Sequence, residues 1–200
     1  ADQAELLTHA RIAADLVGAT PMDRPEWAAV NPNTGDLFVT MTNNSRREAP
    51  NPPNPRVPNA DGHILRMDEA DGNVGTAFSW DLFLIAGPAG DPTATTDLTN
   101  EHGSPDGLAF DDNGVMYIQT DGGQPNGAND QMLLADPDSG LVKRFMTGVP
   151  GCEVTGWTPL DEGSILVNIQ HPGGGDPAVS HWPGEPGDVP RDASVIIARS

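Results

Sequence analysis

Glu26, Asp106 and Glu153 share one address that recurs along the chain. They open the segments EWAAVN, DGLAFD and EVTGWT, and each lies four residues ahead of a large apolar side chain, Val30, Phe110 or Trp157. A glycine-bearing turn follows each one (NPNTG, DDNG, PLDEG), and then an apolar run (DLFVTM, VMYIQT, SILVNI). A repeat that sets a carboxylate at the same point of successive hairpins gathers those carboxylates in one place. Clustered carboxylates suit hard cations, which take oxygen ligands, so this spacing points to the chemistry of a multi-metal site.

The elements that must position these acids read as β-structure. Residues 4–17 carry apolar side chains at helical spacing and end at Gly18, as expected of a short amphipathic helix. From Glu26 onward, AAVN, DLFVTM, GHILRMDE and TAFSWDLFLIA form a first set of strand-like runs separated by turn residues. GLAFD, VMYIQT, QMLLADP and LVKRFMTG form a second set, and VTGWTP, SILVNIQ and SVIIARS a third. Repeated sets of about four strands predict an all-β fold of β-propeller blades, here a partial propeller of about three. Three blades do not close a ring, so the open edges call for further blades or for self-association. Small residues (Ala28, Ala29, Gly107, Ala109, Thr155, Gly156) fit the crowded innermost strands. By this register the three acids start those strands at one mouth of a central channel. The prolines of NNSRREAPNPPNPRVPNADG exclude a central strand there, and a loop of that length is either functional or disordered.

Bulk composition narrows the partners. The net charge of −19 repels nucleic acid and anionic lipid, so neither is expected. The acidity fits a solubility adaptation, with Lys143 the only lysine, and it equally fits attraction of cations. Cys152 is the only cysteine, which excludes an internal disulfide and a cysteine-rich zinc pattern. No apolar run approaches the length of a membrane span. The N-terminus has Asp and Glu where a signal peptide carries positive charge, and it reads as if cut from a longer protein.

The runs DRPEW (23–27), NPRVPNADGHILR (54–66), SPDGLAFDDNGVMYIQTDG (104–122), GCEVTGWTP (151–159) and NIQHPG (168–173) resemble the C-terminal part of PhoX-type alkaline phosphatases. The resemblance spans most of the chain. It implies a β-propeller exported by the twin-arginine route, hence periplasmic or secreted, that uses iron and calcium at the channel mouth to hydrolyse phosphate monoesters. It makes Glu26 a metal ligand and Arg24 a contact to the substrate phosphate, and it adds Asp106, Asp121 and Glu153 as further metal ligands. Members of that family are longer, and their N-terminal part supplies other ligands, including a cysteine on iron. Cys152 lies in a C-terminal motif and does not inherit that role. Residues 1–200 are therefore expected to be one domain, the C-terminal portion of a larger propeller. They would supply part of a site and be inactive alone.

Each residue also has a plainer reading. Glu26 would pair with Arg24 at a solvated strand end, and Asp106 and Asp121 would serve turns. Asp61 and His63 would lead a turn into a strand, while Asn43, Asn44, Asn168 and His171 would cap strand ends. His9, His102 and His181 lack partners at metal-ligand spacing. Cys152 would be a small buried residue, and Trp27, Trp80 and Trp157 blade packing. SPDGLAFDDNG also resembles calcium-dependent gluconolactonases, which makes a propeller lactonase the rival enzyme. A binding scaffold that uses calcium only for stability is the rival without catalysis. There is no G-x-S-x-G elbow, no defensible Ser-His-Asp set, and Gly173–Gly175 lack the strand-to-helix setting of a nucleotide loop.

Overall fold

Apolar alternation and glycine turns organise the chain into antiparallel hairpins, seen in a computed structural model that describes residues 2–198. The first sheet contains β1 (Pro25–Val30), β2 (Leu37–Met41), β3 (His63–Glu69) and β4 (Phe78–Ile85), in that order. The second contains β5 (Pro105–Phe110), β6 (Met116–Thr120), β7 (Gln131–Asp136) and β8 (Leu141–Thr147), again in sequence order. The third contains β9 (Glu153–Pro159), β10 (Ile165–Gln170) and β11 (Ala193–Ile197). These are three blades of a β-propeller, two with four strands and one with three.

The first strands of the blades are neighbours. β5 lies against β1 and β2 on one side and against β9 on the other. Two apolar cores fill the spaces between blades. Phe38, Ile64 and Leu84 of the first blade pack with Leu108, Met116, Ile118 and Leu133 of the second. Met132 of the second packs with Val154, Ile165, Val167 and Ile169 of the third, with Tyr117 stacked on Trp157 at 4.9 Å. The first strands are crowded, as their small residues imply. A Cβ on Gly107 would sit 2.0 Å from Gln119 Oε1, so any larger residue at that point of β5 would have to displace the buried Gln119 side chain.

Two expectations need correction. Residues 4–17 do not form one packed amphipathic helix. They form α1 (Gln3–Thr8) and α2 (Ala10–Leu16), broken at His9, and neither buries a residue. The apolar stripe has no core to face, and short helices without packing are marginal. Trp27 and Trp80 are not buried blade packing either, being 47 % and 41 % exposed. Trp80 lines a groove of about 760 Å³ with Val39, Leu65, Met67 and Phe78, on the face of the first blade turned away from the second. Trp157 does pack between blades.

Phe38 is fully buried and meets Phe83 edge-on at 5.2 Å and Phe110 at 5.4 Å. Phe38→Ala should therefore lower unfolding free energy by about 3–5 kcal/mol. Urea denaturation checks this, and a loss below ~1 kcal/mol would contradict the assignment of this ring to the inter-blade core.

Candidate active site

The three acids that share a sequence address also share a backbone device. Two residues before each lies a residue in the left-handed region: Arg24 (φ 53) before Glu26, Ser104 (φ 52) before Asp106 and Gly151 (φ 66) before Glu153. The kink turns the incoming chain and starts the blade's first strand with the acid at its mouth. For Arg24 and Ser104 this conformation is costly, about 1–2 kcal/mol for a side chain with a Cβ. Each also precedes a proline, which further restricts its backbone. Neighbouring hydrogen bonds hold both: Thr42 N donates to Arg24 O at 3.1 Å, and Asp121 N donates to Ser104 O at 3.1 Å.

Those donors define a second repeated address. Thr42, Asp121 and His171 each follow directly after the second strand of a blade, β2, β6 or β10. Their side chains face the acids. Thr42 Oγ1 donates to Asp106 Oδ2 at 3.4 Å, and His171 Nε2 lies 3.4 Å from Glu153 Oε2. Asp121, Glu153 and His171 bring one ligand atom each within 4.8 Å of one another. By sequence His171 reads as a strand cap; its equivalence to Asp121, one residue past β10 as Asp121 is past β6, appears only once the strand ends are placed.

Electrostatics show that the acids lie in one field. The Asp106 carboxyl is pushed up to about 6, first by burial and then by the negative charges of Glu26, Asp121 and Glu153. Glu153 is also raised, by burial first and then by Asp121, with His171 opposing. Burial and like charge both disfavour the ionised carboxylate, and a bound cation would offset both. Oxygen donors with one imidazole at the edge are a set suited to hard cations.

Arg24 supplies the positive charge at this mouth. Its Nη2 lies 3.0 Å from Glu26 Oε1, and its Nη1 donates to Asn43 Oδ1 at 3.0 Å. Asn43 Nδ2 in turn donates to Ser104 Oγ at 3.3 Å, which links the first blade to the second. The plain reading of Glu26 as the partner of Arg24 is thus realised, and Oε2 of the same carboxylate remains for another ligand. A further clamp holds the blades in register: Thr40 Oγ1 accepts from Trp27 N at 3.0 Å and donates to Asp106 O at 2.7 Å.

The other candidates lie elsewhere. His63 is buried, with Nδ1 2.9 Å from Asn59 Nδ2, and burial pushes it down to about 4. His102 is buried as well, at about 4, with Nδ1 on Asn100 O. Asn44 Nδ2 donates to Asp23, and Asn168 Oδ1 accepts from Ser194 at 2.7 Å. Cys152 is 2 % exposed and its thiol is pushed up to about 11, chiefly by burial, so it is a protonated core residue. Asp61 is half-buried beside Arg56, its carboxyl raised by burial.

The family described as "Alkaline phosphatase PhoX" matches residues 1–173. The chain belongs to this family. Among solved structures, it is similar to Pseudomonas fluorescens PhoX in complex with vanadate, a transition state analogue, at 43% identity and a TM-score of 0.90. The similarity covers 100% of this chain and 37% of that one, so the chain spans little more than a third of the PhoX structure it matches. No curated protein matches the chain.

The raised carboxyls set a sign for stability. Asp106 takes up its proton at a higher pH when folded than when unfolded. Its contribution is therefore full below the unfolded value near 3.8 and lost as pH rises through about 6. Asp130, raised to about 6 chiefly by burial, acts in the same direction. Buried His63 and His102, held at about 4, act in the opposite direction over the same window, so the carboxyl contribution is read as a difference. In chelator, lowering pH from about 7 to 5 should raise the melting temperature of the wild type relative to Asp106→Asn, and added calcium at pH 7 should raise the wild-type melting temperature. Thermal melts across this window check both, and a melting temperature indifferent to calcium at pH 7 would count against a cation site.

Proposed function

We propose that this chain forms part of the active site of a metal-dependent phosphomonoester hydrolase, with calcium and iron as its cations. The observation that supports this best is the convergence of Glu26, Asp106, Asp121 and Glu153 beside a fixed Arg24, in a chain of the PhoX family. The vanadate bound by its Pseudomonas fluorescens relative fits a site for a phosphoryl group in transfer.

Asp121, Glu153 and His171, whose ligand atoms lie within 4.8 Å of one another, would hold a cation. Glu26, through the oxygen that Arg24 leaves free, and Asp106 would supply further ligands to a multi-metal site. When bound, the cations supply positive charge at the phosphoryl oxygens and activate water for attack. Arg24 offers a planar fork to two phosphate oxygens, and its grip on Glu26 and Asn43 sets the plane of that fork. Thr42 holds one oxygen of Asp106 and so directs the other. Asp106, whose carboxyl is raised by burial and by the neighbouring acids, would give up its proton where a cation is held beside it.

This reading makes residues 1–200 a C-terminal portion of a longer propeller that is exported to the periplasm or beyond. The remaining blades would supply further ligands and cover the apolar groove lined by Trp80. Without them the groove favours self-association of the isolated chain.

Two measurements test the proposal. In the full-length metal-loaded protein, Arg24→Ala should lower kcat/KM on a phosphate monoester about 10²–10³-fold, the usual scale for losing a group that stabilises developing charge. Glu26→Gln should reduce the calcium or iron that copurifies, read by elemental analysis. The chain of 200 residues alone should turn over little substrate. Preference for a sugar lactone over the phosphate monoester would point to a lactonase. Full partner binding without iron or turnover would point to a scaffold.

A further inference from the structure

Arg24 is half-exposed at the site, but the residue before it is fully buried. Asp23 has no exposed surface, and its carboxylate accepts hydrogen bonds from Arg47 Nε at 2.5 Å, Asn44 Nδ2 at 2.9 Å and Asn59 Nδ2 at 2.9 Å. Its backbone N–H donates to Asn54 Oδ1 at 3.0 Å. Arg47 is nearly buried, and the same guanidinium donates through Nη2 to Pro21 O at 2.8 Å. Arg47 thus grips the chain on both sides of Met22. Its remaining hydrogen bond goes to Ala49 O, so all of its bonds serve the loop and the Pro21–Asp23 segment, and none reaches the acids.

This network ends where the strain begins. Arg24 adopts φ 53 ahead of a proline, a conformation that costs of order 1–3 kcal/mol and persists only when its surroundings over-determine it. The anchors at Pro21, Asp23 and Thr42 are those surroundings. An extended backbone at Arg24, the ordinary choice before proline, would send the guanidinium in another direction.

We propose that Asp23 and Arg47 are a positioning pair that holds Arg24 in its left-handed conformation and so aims its guanidinium at the phosphoryl group. The inference rests on the phosphate-binding role given to Arg24 above. Neither Asp23 nor Arg47 touches the substrate. A misplacement of Arg24 by about 1 Å should weaken oxyanion binding tenfold or more, since errors of that size cost up to about 10²-fold in reaction rate.

Vanadate inhibition of the full-length metal-loaded protein reads this directly. Arg47→Met should raise the vanadate inhibition constant about tenfold while calcium and iron content stays unchanged. Combined with Arg24→Ala, it should add nothing further, because both substitutions remove the same contact. An unchanged inhibition constant in folded Arg47→Met, or losses that multiply in the double variant, would reduce the pair to a structural role. If Arg47→Met does not fold, Arg47→Lys keeps the charge but loses the fork that spans Asp23 and Pro21. It should then raise the inhibition constant severalfold, and no rise would overturn the inference. The Arg24→Ala control separates the two layers. If that variant is inhibited normally, the phosphate role of Arg24 fails and takes this inference with it. If it is weakened while the Arg47 variants are not, only the positioning claim fails.

Discussion

Mutual repulsion among carboxylates is the constraint around which this structure is arranged. Burial makes the largest contribution to the cost of charging Asp106, and the field of Glu26, Asp121 and Glu153 adds to it. Nothing local to any one hairpin favours bringing these groups together. The cohesion comes from the apolar cores between blades, where Phe38 and Ile64 meet Leu108 and Ile118, and where Met132 meets Val154 and Val167. Burial of that surface is non-directional and large; the resulting contact between blades leaves the acids no room to separate.

Direction is supplied by hydrogen bonds at the blade mouths. Left-handed kinks at Arg24, Ser104 and Gly151 set the acid that follows each one at the start of its strand. Thr40 bonds Trp27 on its own blade and Asp106 on the next. Asn43 joins the Arg24 guanidinium to Ser104, whose carbonyl in turn holds the Asp121 amide. One chain of contacts therefore runs from the cation on the first blade to an acid on the second. A shift between blades would move charge, which is why packing and chemistry are coupled here.

The long proline-rich loop takes its order from the same economy of polar groups. It makes only isolated bridges, Asn44 with Asn59 and Asn51 with Asn54. Its asparagines nevertheless surround the buried Asp23 and satisfy a carboxylate that would otherwise be prohibitively costly to bury. Arg56 completes the arrangement through Ala86 O, Gly62 O and Asn59 Oδ1. The loop is thus a polar plug that braces the entry to β1.

The strands, their grouping into blades and the repeated acid were legible in the sequence, because alternation, glycine turns and a fixed offset from acid to apolar residue are local properties of the chain. Arg24, Glu26, Asp106, Asp121 and Glu153 could be named from those offsets and from motif resemblance. The pairing of Thr42, Asp121 and His171 at a second address could not, since the strands before them differ in how far they follow their acid. The buried state of Asp23, surrounded by residues up to 36 positions away, was equally invisible. So was the exposure of the α1–α2 stripe, because periodicity reports an apolar face without saying whether a partner exists. Local patterns determined which residues are strands and which could bind; which side chains meet, and which charges must share one field, was decided only when the blades packed, since those energies depend on distances between residues remote in sequence.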